Sequence, residues 1–161
     1  MASSIGRFTP AAAYMLLYWL ENKAVSKLCP TAQPGMDRCQ VLGVVDHNGP
    51  APVLRYLNEP VEASPEVLAT TAPLKPTEVL RLSATCAEHR CPHFDRIDCT
   101  LVSRIVRLLP AVVDSLPPCV IRRECRWYSQ EGGAACKRCP GMTTVGYDLS
   151  PEMMEVSGLP V

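Results

Sequence analysis

Seven cysteines fall between Cys86 and Cys139, and two more, Cys29 and Cys39, precede them. That clustering constrains the chain more than any other feature. Nine thiols cannot all pair as disulfides. A chain of 161 residues that is 47% hydrophobic also has enough apolar content to build a core without covalent staples. Ligation of metal by thiolates is therefore favoured over cross-linking, with disulfides or unligated thiols as the weakest reading.

The spacing narrows the chemistry. The motifs are Cys29-Pro30, then Cys86-x4-Cys91-Pro92-His93-Phe94 with Cys99 after a further seven-residue gap, then Cys119-x5-Cys125, and finally Cys136-x2-Cys139-Pro140. Each is expected in a loop or at an element end, where backbone can approach an inorganic centre from several directions. A four-iron cluster takes one thiolate per iron, and a Cys-x2-Cys loop can supply two of them. Proline after Cys29, Cys91 and Cys139 turns the chain away from the centre without presenting an amide that needs a partner.

The residues therefore point to an iron–sulfur cluster, of the 4Fe–4S type, one or two per chain. With two, Cys29, Cys86, Cys91 and Cys99 would hold one, and Cys119, Cys125, Cys136 and Cys139 the other. One cluster with spectator thiols is equally allowed. Cys39, at the start of a strand, is left out as a small buried hydrophobe.

Zinc is the alternative. Structural zinc prefers two tight Cys-x2–4-Cys pairs, and only Cys136/Cys139 meets that spacing, although Cys119, Cys125, Cys136 and Cys139 could close a tetrahedral site. His89 and His93 echo half of a Rieske-type ligand pair, but their two Cys/His halves overlap within one short stretch instead of lying on separate loops. His89 reads better as a loop residue and His93 as a packing or hydrogen-bonding one.

Charge and aromatic content agree with an anionic centre. The chain is neutral overall, yet from Arg81 to Cys139 it carries ten Lys/Arg against six Asp/Glu. Arg90, Arg96, Arg122, Arg123, Arg126, Lys137 and Arg138 lie close in sequence to the cysteines and are expected to favour thiolate over thiol. Phe94, Trp127 and Tyr128 would exclude water, and Gly132, Gly133 and Gly141 would let backbone N–H groups approach sulfur.

Net neutrality argues against a generic nucleic-acid binder, leaving the arginines around Thr100 as a minor DNA-binding reading. There is no phosphate-cradling glycine loop, nucleophile elbow, HExxH or Cys-x3-Cys-x2-Cys. Cys136-x2-Cys139 also lacks the βαβ context of a thioredoxin-type dithiol. No substrate pocket is evident in the sequence, so an electron-transfer or sensing role is preferred to an enzymatic one, which stays open.

Thr9-Pro10 predicts a helix over residues 10–24, apolar on nearly every side. Its apolar run of about 11 residues is too short for a membrane span, which needs roughly 20, and it lacks a signal-peptide cleavage site. A cytoplasmic location is expected. Residues 29–35 should form a loop. Residues 40–46 and 53–57 read as a hairpin around Asn48-Gly49-Pro50, and 78–84 as a third strand. Ser64-Pro65-Glu66 should cap a short helix through Ala69.

Thr100 should cap the strongest helix, which Pro110 kinks or splits before Pro117-Pro118 ends it. From Cys119 to Cys139 an irregular stretch is expected. Residues after Gly141 should be loosely held, with a weak helix signal at Ser150-Pro151-Glu152.

The segment from Cys86 to Pro140, about a third of the chain, resembles a group of uncharacterised bacterial cysteine-rich proteins of iron–sulfur type. That resemblance implies a metal-dependent family without a named activity and supplies no catalytic residues. The expectation is an α+β protein in which a small antiparallel sheet packs with helices beside a loop-rich, cysteine metal-binding lobe. Its divisions are an N-terminal helix (1–28), a sheet region (29–85), a cysteine-rich metal-binding region (86–140) and a tail (141–161). Its expected role is electron transfer or redox sensing with a protein redox partner. The alternative is a zinc-stabilised module that docks another protein.

Overall fold

The computed structural model describes residues 26–145 and 149–158. The expected helix over residues 10–24 lies outside them.

The hairpin forms as expected. Strand β2 (Gln40–Asp46) pairs antiparallel with β3 (Val53–Glu62), which runs five residues beyond its expected end. Pro60 is compatible with that length because β3 is an edge strand, where a missing N–H need not break a ladder. At the bulge between Val41 and Gly43, glycine is obligatory. A Cβ there would collide with the Arg55 carbonyl oxygen across the pair.

Ser64 caps helix α1 (Pro65–Ala69), its hydroxyl accepting the Val67 N–H at 3.3 Å. A four-residue helix α2 (Pro76–Val79) then takes the residues expected to begin the third strand, because Pro76 favours a first helical turn. That strand, β4, is Leu80–Thr85.

The sheet has four strands instead of three. Leu28, placed in the N-terminal segment, and Cys29, expected to open a loop, form strand β1 and pair with Thr85 and Ala84 of β4. All pairings are antiparallel, in the order β1-β4-β2-β3. The molecule is thus α+β.

Strand β4 is central and buried on both faces. Leu80, Leu82 and Ala84 join Val41 and Ala32 in a small core closed by Val67 and Leu68 of α1. Arg81 and Ser83 alternate with them and project to the opposite face.

On that face lies a larger core of Leu42 and Leu54 from the sheet, Val102, Ile105, Trp127 and Val156 from the helices, and four cysteines, including Cys99 and Cys125. Its helices are α3 (Thr100–Leu108), α4 (Arg126–Cys136) and α5 (Pro151–Ser157).

Helix α3 ends at Leu108, and Leu109 is extended (φ −104°, ψ 145°), as a residue before proline must be. Pro110 therefore stops the helix outright, and residues 112 and 113 leave the apolar stripe expected of them. The irregular stretch expected between Cys119 and Cys139 contains helix α4, broken internally at Gly132 (φ 58°, ψ −143°).

The tail is held more firmly than expected. Ser150 caps α5 through the Met153 N–H, Val156 is fully buried, and Arg104 of α3 donates to the Val156 carbonyl at 2.8 Å. No helix among the described residues is long and apolar enough to cross a membrane.

Candidate functional site

All nine cysteines are free thiols, and eight of them gather in two places. Cys29, Cys86, Cys91 and Cys99 line one cavity of about 630 Å³. The leading electrostatic neighbours of the Cys29 sulfur are Cys86 and Cys99, and those of Cys99 are Cys91 and Cys86. Cys119 and Cys125 interact with one another and with Cys139, and Cys136 interacts with both Cys119 and Cys139. Cys39 belongs to neither group, and its thiol faces the Gln33 carbonyl.

Local structure sets each sulfur. Cys29 is delivered by β1 at the sheet edge. Cys86 follows β4, its N–H bonded to the Lys27 carbonyl at 2.8 Å, so both enter the cavity from adjacent strands.

Cys91 and Cys99 bracket a loop anchored by Asp95, which accepts the N–H groups of Ile97 (3.1 Å) and Asp98 (2.8 Å). Arg96 sits at φ 95° at the tip of that loop. In the second group Cys119 precedes a short turn, Cys125 and Cys136 bound α4, and Cys139 opens the turn that lies against β3.

One cysteine of each group occupies a helix N-cap: Cys99 for α3 and Cys125 for α4. Neither makes a formal capping bond. Even so, the amides of Leu101 and Val102 lie near enough to Cys99, and those of Trp127 and Tyr128 to Cys125, to favour the thiolate. The Thr31 and Ile121 amides do the same for Cys29 and Cys119. Amides two residues beyond the sulfur thus recur in both groups, aimed where negative charge would reside.

The Gly141 N–H is bonded to the Arg138 carbonyl at 3.0 Å and so is not directed at a sulfur. Gly132 serves its positive φ, while Gly141 and Gly133 make room for the side chains of Val112 and Leu116.

Burial pushes Cys29 and Cys119 up to about 11 and Cys125 to about 12, and at Cys119 it outweighs the opposing effect of Arg122. Burial raises Cys99 and Cys136 as well.

Most of the cations have other partners. Arg126 pairs with Glu88 and lies 5.3 Å over the Phe94 ring. Arg138 donates to the carbonyls of Leu109 and Ala134. Arg90 lines the cavity. Arg122 donates to the Pro117 carbonyl and also hydrogen-bonds the Cys136 sulfur, while its buried Nε lacks a partner.

The decisive cation is one that sequence reasoning passed over. Arg81 of β4 is 1% exposed, and its Nη1 lies 3.9 Å from the Cys139 sulfur and 3.5 Å from the Cys139 carbonyl oxygen. Its Nη2 has no hydrogen-bond partner, and no carboxylate pairs with it among the described residues. Burying a guanidinium costs several kcal/mol unless an anion compensates it. Tyr56 of β3 adds a hydroxyl beside Cys139, its acidity suppressed by burial and by that neighbour. The only sequence signal for Arg81 was a charge at an alternate position of an otherwise apolar strand.

The histidines are not drawn to either group as a pair. His89 packs edge-on against Phe94 with ring centroids 5.5 Å apart. His93 lines the cavity, its Nδ1 accepting from Arg104 at 3.2 Å. Among the described residues no three His, Cys, Asp or Glu side chains converge tightly enough to hold a single metal ion.

No protein-family model matches the chain, and comparison with curated proteins and with solved structures finds no match either.

Proposed function

We propose that this is an iron–sulfur protein carrying two four-iron clusters, one on Cys29, Cys86, Cys91 and Cys99 and one on Cys119, Cys125, Cys136 and Cys139. It would pass single electrons to a protein partner or report its redox state to one. The observation that carries the reading is the sorting of eight unpaired thiols into two sets of four, one of them beside a buried arginine without a carboxylate.

A neutral thiol group leaves Arg81 uncompensated, whereas a cluster with four thiolates is an anion. Tetrahedral zinc, with bonds of about 2.3 Å, would draw four sulfurs to within about 4 Å of one another. The looser groups suit a centre that spreads its ligands over the corners of a cubane. The clustered amides supply bonds to sulfur, and the helix N-termini favour the anion.

Burial raises the Cys29 and Cys125 thiols, so cluster assembly there would have to expel their protons as sulfur binds iron. The protein's part in redox chemistry is then to fix the clusters, exclude water with Trp127, and tune their charge. Electron exchange needs no substrate pocket.

Anaerobic purification or reconstitution followed by iron, sulfide and zinc analysis tests this. The expected result is about eight iron and eight sulfide per chain with absorption near 400 nm that bleaches in air. A colourless protein with stoichiometric zinc would refute it and leave a zinc-stabilised docking module.

A further inference from the structure

We propose that the two thiol quartets form an intramolecular one-electron relay. The Cys119/Cys125/Cys136/Cys139 centre is its electron-holding end, set there by the buried Arg81 guanidinium, and the Cys29/Cys86/Cys91/Cys99 centre is the end that exchanges with a partner. The inference deepens the two-cluster reading and rests on it.

The first observation is proximity. Leu28 of β1 forms a parallel backbone bridge with Cys125, and Cys29 is the next residue. One bridge plus one chain step puts the Cα atoms of Cys29 and Cys125, from different quartets, within about 10 Å of each other. A second tie runs through Gln130 of α4, whose amide side chain accepts the Cys99 N–H at 2.8 Å and donates to the Cys99 carbonyl at 3.1 Å. The helix that bears Cys125 and Cys136 therefore fixes a cysteine of the other quartet. Both contacts are covalent or hydrogen-bonded routes between the two sets of sulfurs.

The second observation is electrostatic asymmetry. Reduction adds one negative charge to a cluster, so a weakly screened cation beside it favours the reduced form and makes its potential more positive. Arg81 is such a cation at Cys139, and Arg122 contributes at Cys136. At the other quartet, Arg126 is offset by Glu88, Arg104 is tied to the Val156 carbonyl and to His93, and Arg90, which lines the cavity, is exposed, so that solvent screens its charge.

The third is access. Three cysteines of the Arg81 quartet are buried, whereas in the other quartet the Cys29 sulfur and Cys99 are enclosed but Cys86 and Cys91 keep some exposure at the mouth of the cavity. With clusters bound, Cys29, Cys86, Cys91 and Cys99 would hold the centre that takes one electron from a donor protein, and the Arg81 quartet would hold the centre to which that electron passes, the first being reoxidised as the second is reduced. No bond is made and no proton is moved.

The test is a dithionite redox titration of the reconstituted full-length chain followed by electron paramagnetic resonance. Two reduction steps are expected, and the fully reduced protein should show spectra broadened by spin coupling between neighbouring clusters. Arg81→Met should move only the more positive step, in the negative direction. In a Cys91→Ala/Cys99→Ala variant the remaining cluster should titrate at the more positive potential with the broadening lost. This decides the assignment even where Arg81→Met does not fold.

Non-interacting spectra, an Arg81→Met shift in the more negative step, no shift in either step, or a lone enclosed cluster at the more negative potential would each overturn the relay. Failure to assemble any cluster would instead strike the underlying reading.

Discussion

The enclosure of the Cys29 sulfur has a thermodynamic signature in alkali. In the metal-free fold its pKa stands near 11, against 9.0 for an unperturbed thiol, with burial the largest cause. A thiol whose folded-state pKa exceeds its unfolded value holds its proton more tightly in the fold. Its contribution to stability is complete below pH 9 and is lost as pH rises toward 11.

At pH 10 the unfolded thiol is mostly ionised and the folded one is not. The difference is a loss of about 1.4 kcal/mol relative to pH 7 from Cys29 alone. Cys125, pushed to about 12, adds a similar amount at that pH.

Urea denaturation of the reduced, metal-free protein at pH 7 and pH 10, compared with the same pair for Cys29→Ala, isolates the effect. The variant should lose about 1.4 kcal/mol less over that interval than the parent, whatever its stability at pH 7. Equal losses in the two proteins would mean that the thiol is solvated, and the enclosed site built around it would fall. In the cluster-loaded protein Cys29 has no thiol proton to lose, so its share of the alkaline loss should vanish.

Three further outcomes are expected. Gln130→Ala leaves the Cys99 N–H unpaired, so thermal denaturation should show a loss of about 1–3 kcal/mol, and iron content should fall at the Cys99 quartet first. Gly132→Ala forces a side chain into a region reserved for glycine and should cost about 1–3 kcal/mol by urea denaturation; an unchanged midpoint would refute the break in α4. Arg96→Gly should relieve the positive φ at the exposed loop tip and raise stability by about 1 kcal/mol, less the entropy that glycine brings.

The fold was legible where local chemistry dominates. Ser64-Pro65, Asn48-Gly49-Pro50 and Ser150-Pro151 carry their turn and cap signals within a few residues, and the structure forms each of them. What escaped depends on partners far along the chain. Leu28–Cys29 is too short to alternate and becomes a strand only because β4 offers an edge. Helix α4 hides behind Gly132-Gly133, residues of poor helix propensity, and is kept by the burial of Trp127 and Ala135. The cysteine count allowed two groups of four or one cluster with spectator thiols; in the folded chain Cys29, Cys86, Cys91 and Cys99 share a cavity, and Cys119, Cys125, Cys136 and Cys139 neighbour one another. The burial that raises Cys29, Cys99, Cys119, Cys125 and Cys136, and Arg81 opposite Cys139, belong to tertiary structure and leave only faint traces in a linear pattern.

Helix α4 starts after Cys125 and finishes on Cys136, two members of one quartet, while its middle carries a break. With the proposed cluster in place, those eleven residues become a segment clasped at both ends by the same inorganic body. The cluster would then add a second restraint to a helix already held by the burial of Trp127 and Ala135. Oxidative loss of the metal should loosen its ends, so that far-ultraviolet ellipticity falls slightly in step with the bleaching of the visible band. A partner that reads the shape of this surface could in that way sense oxygen without touching the metal.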